Sequence, residues 1–304
     1  MKVIKETILT NNKENLRLLV VSDLHICNNK DILIMDEIIM FLKNNKCDAI
    51  CLVGDIIDST NFLRNNNYLT NKLIDFIKKI GQEALTYIVF GNHDVGYINK
   101  NYKKNKSIKW MDDYETLKKC FIDKIINLSN VFILDNKTME IKKGYTISGI
   151  IPSVNYAIKI HEDKDEDINE VDNCAFLKKL NSNNVNILLC HYPDVIKRLH
   201  SKRVLYNIDV CIAGHNHSGA AQITILEKIL NLFKQNNRGI ITPNKSIKLN
   251  ETKQLRGRIK LDNKTQLIIN PSIKTLSNSA GSLKYLNGLF YKGITQIEFK
   301  KNKS

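Results

Sequence analysis

Five times along this chain a short apolar run stops at a cluster of Asp, Asn, His and Gly, and that recurrence constrains the fold more than any other feature. Ile208 to Ile212 runs into Ala213-Gly214-His215-Asn216-His217. Four further runs end at Asp23-Leu24-His25, Gly54-Asp55-Ile56-Ile57-Asp58, Gly91-Asn92-His93-Asp94 and Cys190-His191. Runs of this length read as buried strands, and open α/β sheets build their sites just beyond the carboxyl ends of their strands. Five of the seven histidines fall in these clusters, a concentration that random scatter would rarely give.

The segments between the clusters complete an α/β order. Leu16 to Ser22, Asp48 to Val53 and Leu85 to Phe90 suit central strands covered on both faces. Asp31 to Asn44 carries Ile32, Met35, Ile38, Ile39 and Leu42 at helical spacing, with Asp31 placed as the cap. Asn67 to Ile80 and Tyr114 to Leu128 read as further helices, so strand, loop and helix alternate as an α/β layer requires. If Asp23-Leu24-His25 continues extended, its carboxylate and imidazole share one side.

From Val131 the runs shorten and alternate. Val131 to Leu134, Met139 to Ile141 and Tyr145 to Ile151, with turn signals at Asp135-Asn136 and Lys143-Gly144, predict an antiparallel meander. Val185 to Leu189 predicts a strand that Pro193 helps to stop, and Asp209 to Ala213 another. Gln222 to Ile225 reads as a strand, Leu226 to Lys234 as a short amphipathic helix, Asn244 to Asn263 as a polar loop, and Thr265 to Ile269 and Gly293 to Phe299 as closing strands. With no internal repeat or low-complexity linker, we expect one domain over residues 1–304, with 222–264 as a lid or insertion.

Composition removes several alternatives. No apolar run approaches the ~20 residues of a membrane helix. Lys2, Lys5, Glu6, Lys13 and Glu14 interrupt the N-terminus where a signal peptide would be unbroken. Seven cysteines form no C-x-x-C pair, and Cys51, Cys190 and Cys211 lie inside apolar runs, the pattern of small buried residues in a reducing compartment. These readings predict a cytoplasmic protein, with peripheral membrane contact as the second option. A net charge of +15 would suit a polyanion, but the lysines accompany Asn and Ile along the whole chain, so nucleic-acid binding is not favoured. The acidic stretch His161 to Asp172 lacks the spacing and turn glycine of a calcium loop and reads as solvated. Nothing in the sequence fixes the oligomeric state.

Aspartate, histidine and asparagine without thiolates form a ligand set suited to divalent Mn, Fe, Zn or Co. A carboxylate such as Asp55 can bridge two cations, and water on such a pair ionises near neutral pH, giving the hydroxide that attacks a phosphate ester. Taken singly, the members have plainer explanations. Asp55 and Asn92 follow glycine as turn residues often do, Asp58 could cap a helix, and a lone His191 would more often be a core histidine.

Taken in order, the five blocks resemble the calcineurin-like metallophosphoesterase superfamily, over residues 23–217. The wording His-Tyr-Pro-Asp from His191 to Asp194 is similar to the YkuE-type bacterial branch. The resemblance implies an αββα sandwich of two mixed β-sheets with a dinuclear site on one edge, manganese being the favoured metal. It implies that Asp23, His25 and His217 hold the first ion, that Asp55 bridges both, and that Asn92, His191 and His215 hold the second. It further implies that His93 protonates the leaving oxygen or steadies the transition state, and that the Asp58 carboxylate orients that imidazole. Asp94 reads as structural.

The implied activity is hydrolysis of a phosphodiester, diphosphate or phosphomonoester, with lipid-linked or nucleotide substrates as candidates. Ser59 follows Asp58 where the phosphoprotein phosphatases of the superfamily carry a phosphate-gripping arginine, which argues against a protein substrate. Ser218-Gly219-Ala220-Ala221-Gln222 also departs from the Gly-Gly-Gln that follows the last histidine in the YkuE-type branch. A nuclease of the superfamily and a non-catalytic scaffold of the same fold are the competing classes. Tyr97 to Trp110, with five lysines, reads as a solvated loop first and a grip on an anionic or stacking substrate second. Residues 226–241 read equally as packing against the sheet and as a lid or apolar groove.

Overall fold

The computed structural model describes residues 2–95, 114–151, 174–216, 256–274 and 293–302. Nearly every residue of β2 (Leu16–Val21), β3 (Ala49–Val53) and β4 (Leu85–Val89) is buried, because both faces of their sheet are covered. Alternation divides their side chains between two cores. Leu19, Val21, Ile50, Leu52 and Ile88 pack under helices, whereas Leu18, Val20, Cys51, Val53, Tyr87 and Val89 face a second sheet. Helix α1 (Ile32–Asn44) returns the chain from β2 to β3, and α2 (Asn61–Asn65) with α3 (Asn67–Glu83) returns it from β3 to β4. The three strands therefore pair in parallel and end at one edge.

The second sheet repeats the arrangement. β7 (Tyr145–Ile150), β8 (Val185–Cys190), β9 (Val210–Ala213) and β11 (Gln266–Ile269) run parallel, flanked by antiparallel β6 (Lys137–Lys142) and β10 (Gly257–Lys260). Ile147, Ile187, Leu189, Val210 and Ile212 fill the space between the sheets. Leu188, Cys190, Cys211, Leu267 and Ile269 pack on the other face with Val195, Ile196 and Leu199 of α5 (Pro193–Ser201). With β1 (Lys2–Thr10), β5 (Val131–Ile133) and β12 (Gly293–Lys301), the orders are β1-β12-β2-β3-β4-β5 and β10-β11-β9-β8-β7-β6, two six-stranded mixed sheets between helices, the αββα class expected from sequence.

Several boundaries differ from expectation for identifiable reasons. The polar N-terminus forms β1 (Lys2–Thr10), an edge strand parallel to β12 (Gly293–Lys301), so pairing rather than burial defines it. β5 (Val131–Ile133) leaves the expected meander and joins β4 in parallel after helix α4, residues 114–125. α4 ends three residues short of Leu128 and contains a π-turn at Lys118–Ile122. The loop predicted over Asn244 to Asn263 contains β10, whose outward Arg258 and Lys260 conceal its strand character. Pro193 begins α5, where its missing N–H costs nothing. Asp31 caps nothing in α1; Asn28 caps the short helical turn before it, and the Asp31 carboxylate accepts from the amides of Cys27 and Asn28.

The expectations for 97–110, 161–172, His217 and 222–255 lie outside the described residues. Among the described residues no helix is long and apolar enough to cross a membrane. Ile147→Ala, in the core between the sheets, should lower unfolding free energy by roughly 2–5 kcal/mol. Leu33→Ala, on the exposed side of α1, should change it by less than about 0.5 kcal/mol. Urea denaturation midpoints of both variants measure the difference.

Candidate metal centre

Five parallel strands from the two sheets, β2, β3, β4, β8 and β9, end facing one another, and each hands its next residues to a common edge. The loops after β2 and β3 are stitched by their backbones. Asp23 N donates to Gly54 O (3.0 Å), His25 N to Asp55 O (2.9 Å) and Ile26 N to Ile56 O (3.0 Å). The sheets are joined across the gap, with His191 Nδ1 2.8 Å from the carbonyl of Val53 and His215 N donating to Asp23 Oδ1 at 3.1 Å.

The backbone here is not extended, contrary to the expectation for Asp23-Leu24-His25. Asp23 (φ 55°), His25 (φ 43°), Asp55 (φ 52°) and His215 (φ 68°) are all left-handed, four of the eight non-glycine residues with positive φ among those described. Asp and His tolerate that region better than most residues, yet each instance still costs roughly 1–3 kcal/mol. These conformations turn the chain out of the strand direction, and Asp23, His25, Asp55 and His215 come together at the edge. Gly54, itself at φ 77°, lies so close to His191 that a Cβ would stand 2.4 Å from its Nδ1. A Cβ on Gly91 would stand 2.3 Å from Asp55 Oδ1. The glycines of these motifs are thus space for the neighbouring Asp55 and His191 side chains.

Asp55 stands at the middle. Its Oδ1 accepts from His93 N at 2.9 Å, and its Oδ2 lies 3.1 Å from His191 Nε2 and 3.7 Å from His25 Nε2. Two buried sets of metal-competent atoms share it, Asp23–His25–Asp55 and Asp55–His191–His215, each set lying within 4.8 Å. Burial opposes the charged form of Asp55, but His191, His93 and His25 outweigh it and hold the carboxyl well below its ordinary range. Burial likewise opposes imidazolium at His191, but Asp55 beside it raises the ring to about 9. Asn92 presents a buried Oδ1 that finds no hydrogen-bond partner among the described residues. A buried acceptor left open beside two carboxylate–imidazole sets is what a cation would satisfy, so these residues fit a divalent metal.

The structure also brings His93 and Asp58 to this edge, with one difference from expectation. His93 Nδ1 is 2.8 Å from the main-chain carbonyl of Asp58, while the Asp58 carboxylate is 3.8 Å from that nitrogen and closer, at 3.4 Å, to His25 Nδ1. The single proton of Nδ1 is already given to the carbonyl, so the backbone of Asp58 orients His93. The His93 ring meets His25 edge-on at 4.4 Å. Asp94 locks two loops together by accepting from Ile57 N (2.9 Å) and Gly91 N (2.8 Å). Burial and the charge of Asp55 push its carboxyl up to about 7.

Two contributors escaped the sequence reading. Tyr192 is buried with its ring 5.1 Å from that of His191 and 4.7 Å from that of His215, a wedge beside both imidazoles. Asn270, directly after β11, donates to Ser22 Oγ and accepts from Thr295 Oγ1, each at 2.8 Å. Its position after an apolar run was the available signal, but a cluster without Asp or His does not stand out.

A model of the calcineurin-like phosphoesterase family matches residues 16–219, more than half of the chain. No curated protein matches the sequence. Among solved structures, the Thermus thermophilus protein TT1561 is 9% identical with a TM-score of 0.46, covering 85% of this chain and 90% of that one. A dimetal phosphatase from Danio rerio is 10% identical with a TM-score of 0.44, covering 84% and 87%. A 5′-nucleotidase, so described provisionally, from Staphylococcus aureus is 12% identical with a TM-score of 0.45, covering 85% and 49%. The matched family model, on a two-sheet fold whose strand ends gather Asp23, His25, Asp55, His191 and His215, shows that the chain belongs to the calcineurin-like phosphoesterases, as a metal-dependent phosphoester hydrolase.

Proposed function

We propose that Asp23, His25, Asp55, Asn92, His191, His215 and His217 hold two divalent ions, manganese favoured, and that the enzyme hydrolyses phosphodiesters or diphosphates in preference to phosphoproteins. The observation that carries this reading is the position of Asp55 Oδ2 between His25 of one set and His191 of the other. Two such ions, when bound, neutralise phosphoryl oxygens and lower the pKa of water to about 7. Ser59, following Asp58, supplies no guanidinium to grip a phosphoprotein, which supports the choice of substrate class. The wording around His191 supports placement near the YkuE-type branch, and the reducing-compartment pattern of the cysteines a cytoplasmic location.

The chain's own groups then divide the work. His191 Nδ1–H donates to Val53 O, which fixes the tautomer that turns Nε2 toward Asp55. Asp55 Oδ1 is anchored by His93 N, which aims Oδ2 at His25 and His191. His93, held through Nδ1 by the Asp58 carbonyl and with its side chain 15% exposed, carries Nε2 as the atom that gives a proton to the departing oxygen.

In an assay of a bis-aryl phosphodiester with Mn²⁺, His93→Ala should lower kcat by roughly 10²–10⁴-fold while bound metal is retained. Asp55→Asn should abolish both turnover and two-ion binding, and turnover at the wild-type rate in that variant would overturn the mechanism. Metal uptake should also depend on pH, because the proton on His191 must leave before the ring can ligate. Below about 9 the imidazolium competes with the ion, so affinity measured by titration should rise with pH, by about tenfold per unit, and flatten above that value.

A further inference from the structure

We infer that Lys274 is a positioning residue for His25, latching the loop after β2 from the opposite sheet; the inference rests on the two-ion reading above. β11 ends at Ile269, and the residues that follow cross to the first sheet, where Ile273 N donates to Ser22 O (3.4 Å) and Lys274 N to Asp23 O (3.1 Å). The Lys274 ammonium then donates to the carbonyl of His25 at 2.6 Å and pairs with Asp31 Oδ1 at 2.6 Å. Asp31 Oδ2 in turn accepts from Cys27 N (2.8 Å) and Asn28 N (3.0 Å). One cation thereby ties the beginning of the turn at His25 to its end at Asp31.

The arrangement has a function because His25 is strained. Its φ of 43° belongs to the left-handed region, which an imidazole-bearing residue keeps only when its surroundings over-determine it. On one side its N–H is held by Asp55 O, and on the other its carbonyl is held by Lys274 Nζ. Both members of the ion pair are shielded, with side chains 18% exposed for Lys274 and 5% for Asp31. Water therefore competes weakly, and the pair is short enough to transmit position rather than mere charge. Without the ammonium the His25 peptide can relax toward ordinary φ values and swing the imidazole away from Asp55. In the second set, His191 Nδ1 is held by Val53 O and His215 N by the Asp23 carboxylate, contacts in which the Lys274 ammonium takes no part.

The test is calorimetric Mn²⁺ titration of the 304-residue chain as wild type, Lys274→Met, and Lys274→Met combined with Asp31→Asn, with thermal melts of each metal-free form. The single variant leaves a buried carboxylate unpaired, so its folding suffers; the double variant removes that charge and should recover the melting temperature. Wild type should show two binding steps. Both variants should weaken one step by about 10–100-fold and leave the other unchanged, including in the double variant where stability is recovered. Two unchanged steps would overturn the latch and leave the two-ion reading intact. Equal weakening of both steps would also overturn it, since that marks a general loosening. A wild-type protein with no binding step would overturn the two-ion reading and the latch with it.

Discussion

A carboxylate buried as deeply as that of Asp55 is tolerable only if positive charge surrounds it, and the edge of this protein is organised to provide that. Its two oxygens have separate duties. Oδ1 is held by the amide of His93, from the loop after β4, and Oδ2 faces imidazoles delivered from β2 and β8. Three strand ends from two sheets therefore meet on one side chain of a fourth, β3. Burial is offset by His191, His93 and His25, which hold Asp55 down, and Asp55 in turn holds His191 up. Divalent cations held by these residues would supply positive charge at the same carboxylate, so burial of Asp55 favours a cation beside it.

Keeping that geometry requires backbone conformations the strands themselves do not supply. Asp23, His25, Asp55 and His215 each occupy left-handed space in the loop that follows a strand, and their strain has to be offset by contacts elsewhere. The contacts are mutual. The loops after β2 and β3 exchange backbone hydrogen bonds, Asp94 spans the loops after β3 and β4, and the carboxylate of Asp23 receives the amide of His215. No single loop could hold its own distorted residue, because the bonds that restrain it come from its neighbours. The candidate centre is for this reason cooperative.

That cooperativity explains which features could be read from sequence. Apolar runs such as those of β2, β3, β8 and β9 declare themselves, because strands covered on both faces must be apolar throughout, and the Asp and His that end them were legible as a set. Alternation in β1 and β10 was hidden by the lysines and arginines that edge strands carry outward. The partner of β5 was illegible for another reason. A three-residue strand has too few side chains to state whether it continues a meander or closes a crossover, and the choice is made by β4. At the site, residue identity told which groups assemble but not how they are held. Nothing in Asp23-Leu24-His25 announces left-handed backbone, and nothing in Asp58 announces that its carbonyl, rather than its carboxylate, would meet His93.

The division of the centre between two sheets has a further physical consequence. Val53 closes β3, contributes its side chain to the core between the sheets, and offers its carbonyl to His191 from β8. Any change that alters the spacing of the sheets at Val53, Val89 or Leu189 must therefore move His191 relative to Asp55, since the imidazole is referenced to one sheet and rooted in the other. Close-packed interiors transmit such displacements instead of absorbing them. Apolar residues far from any polar atom of the centre thus set its dimensions, and the packing that stabilises the fold also sets the distance between the two sets of candidate ligand atoms.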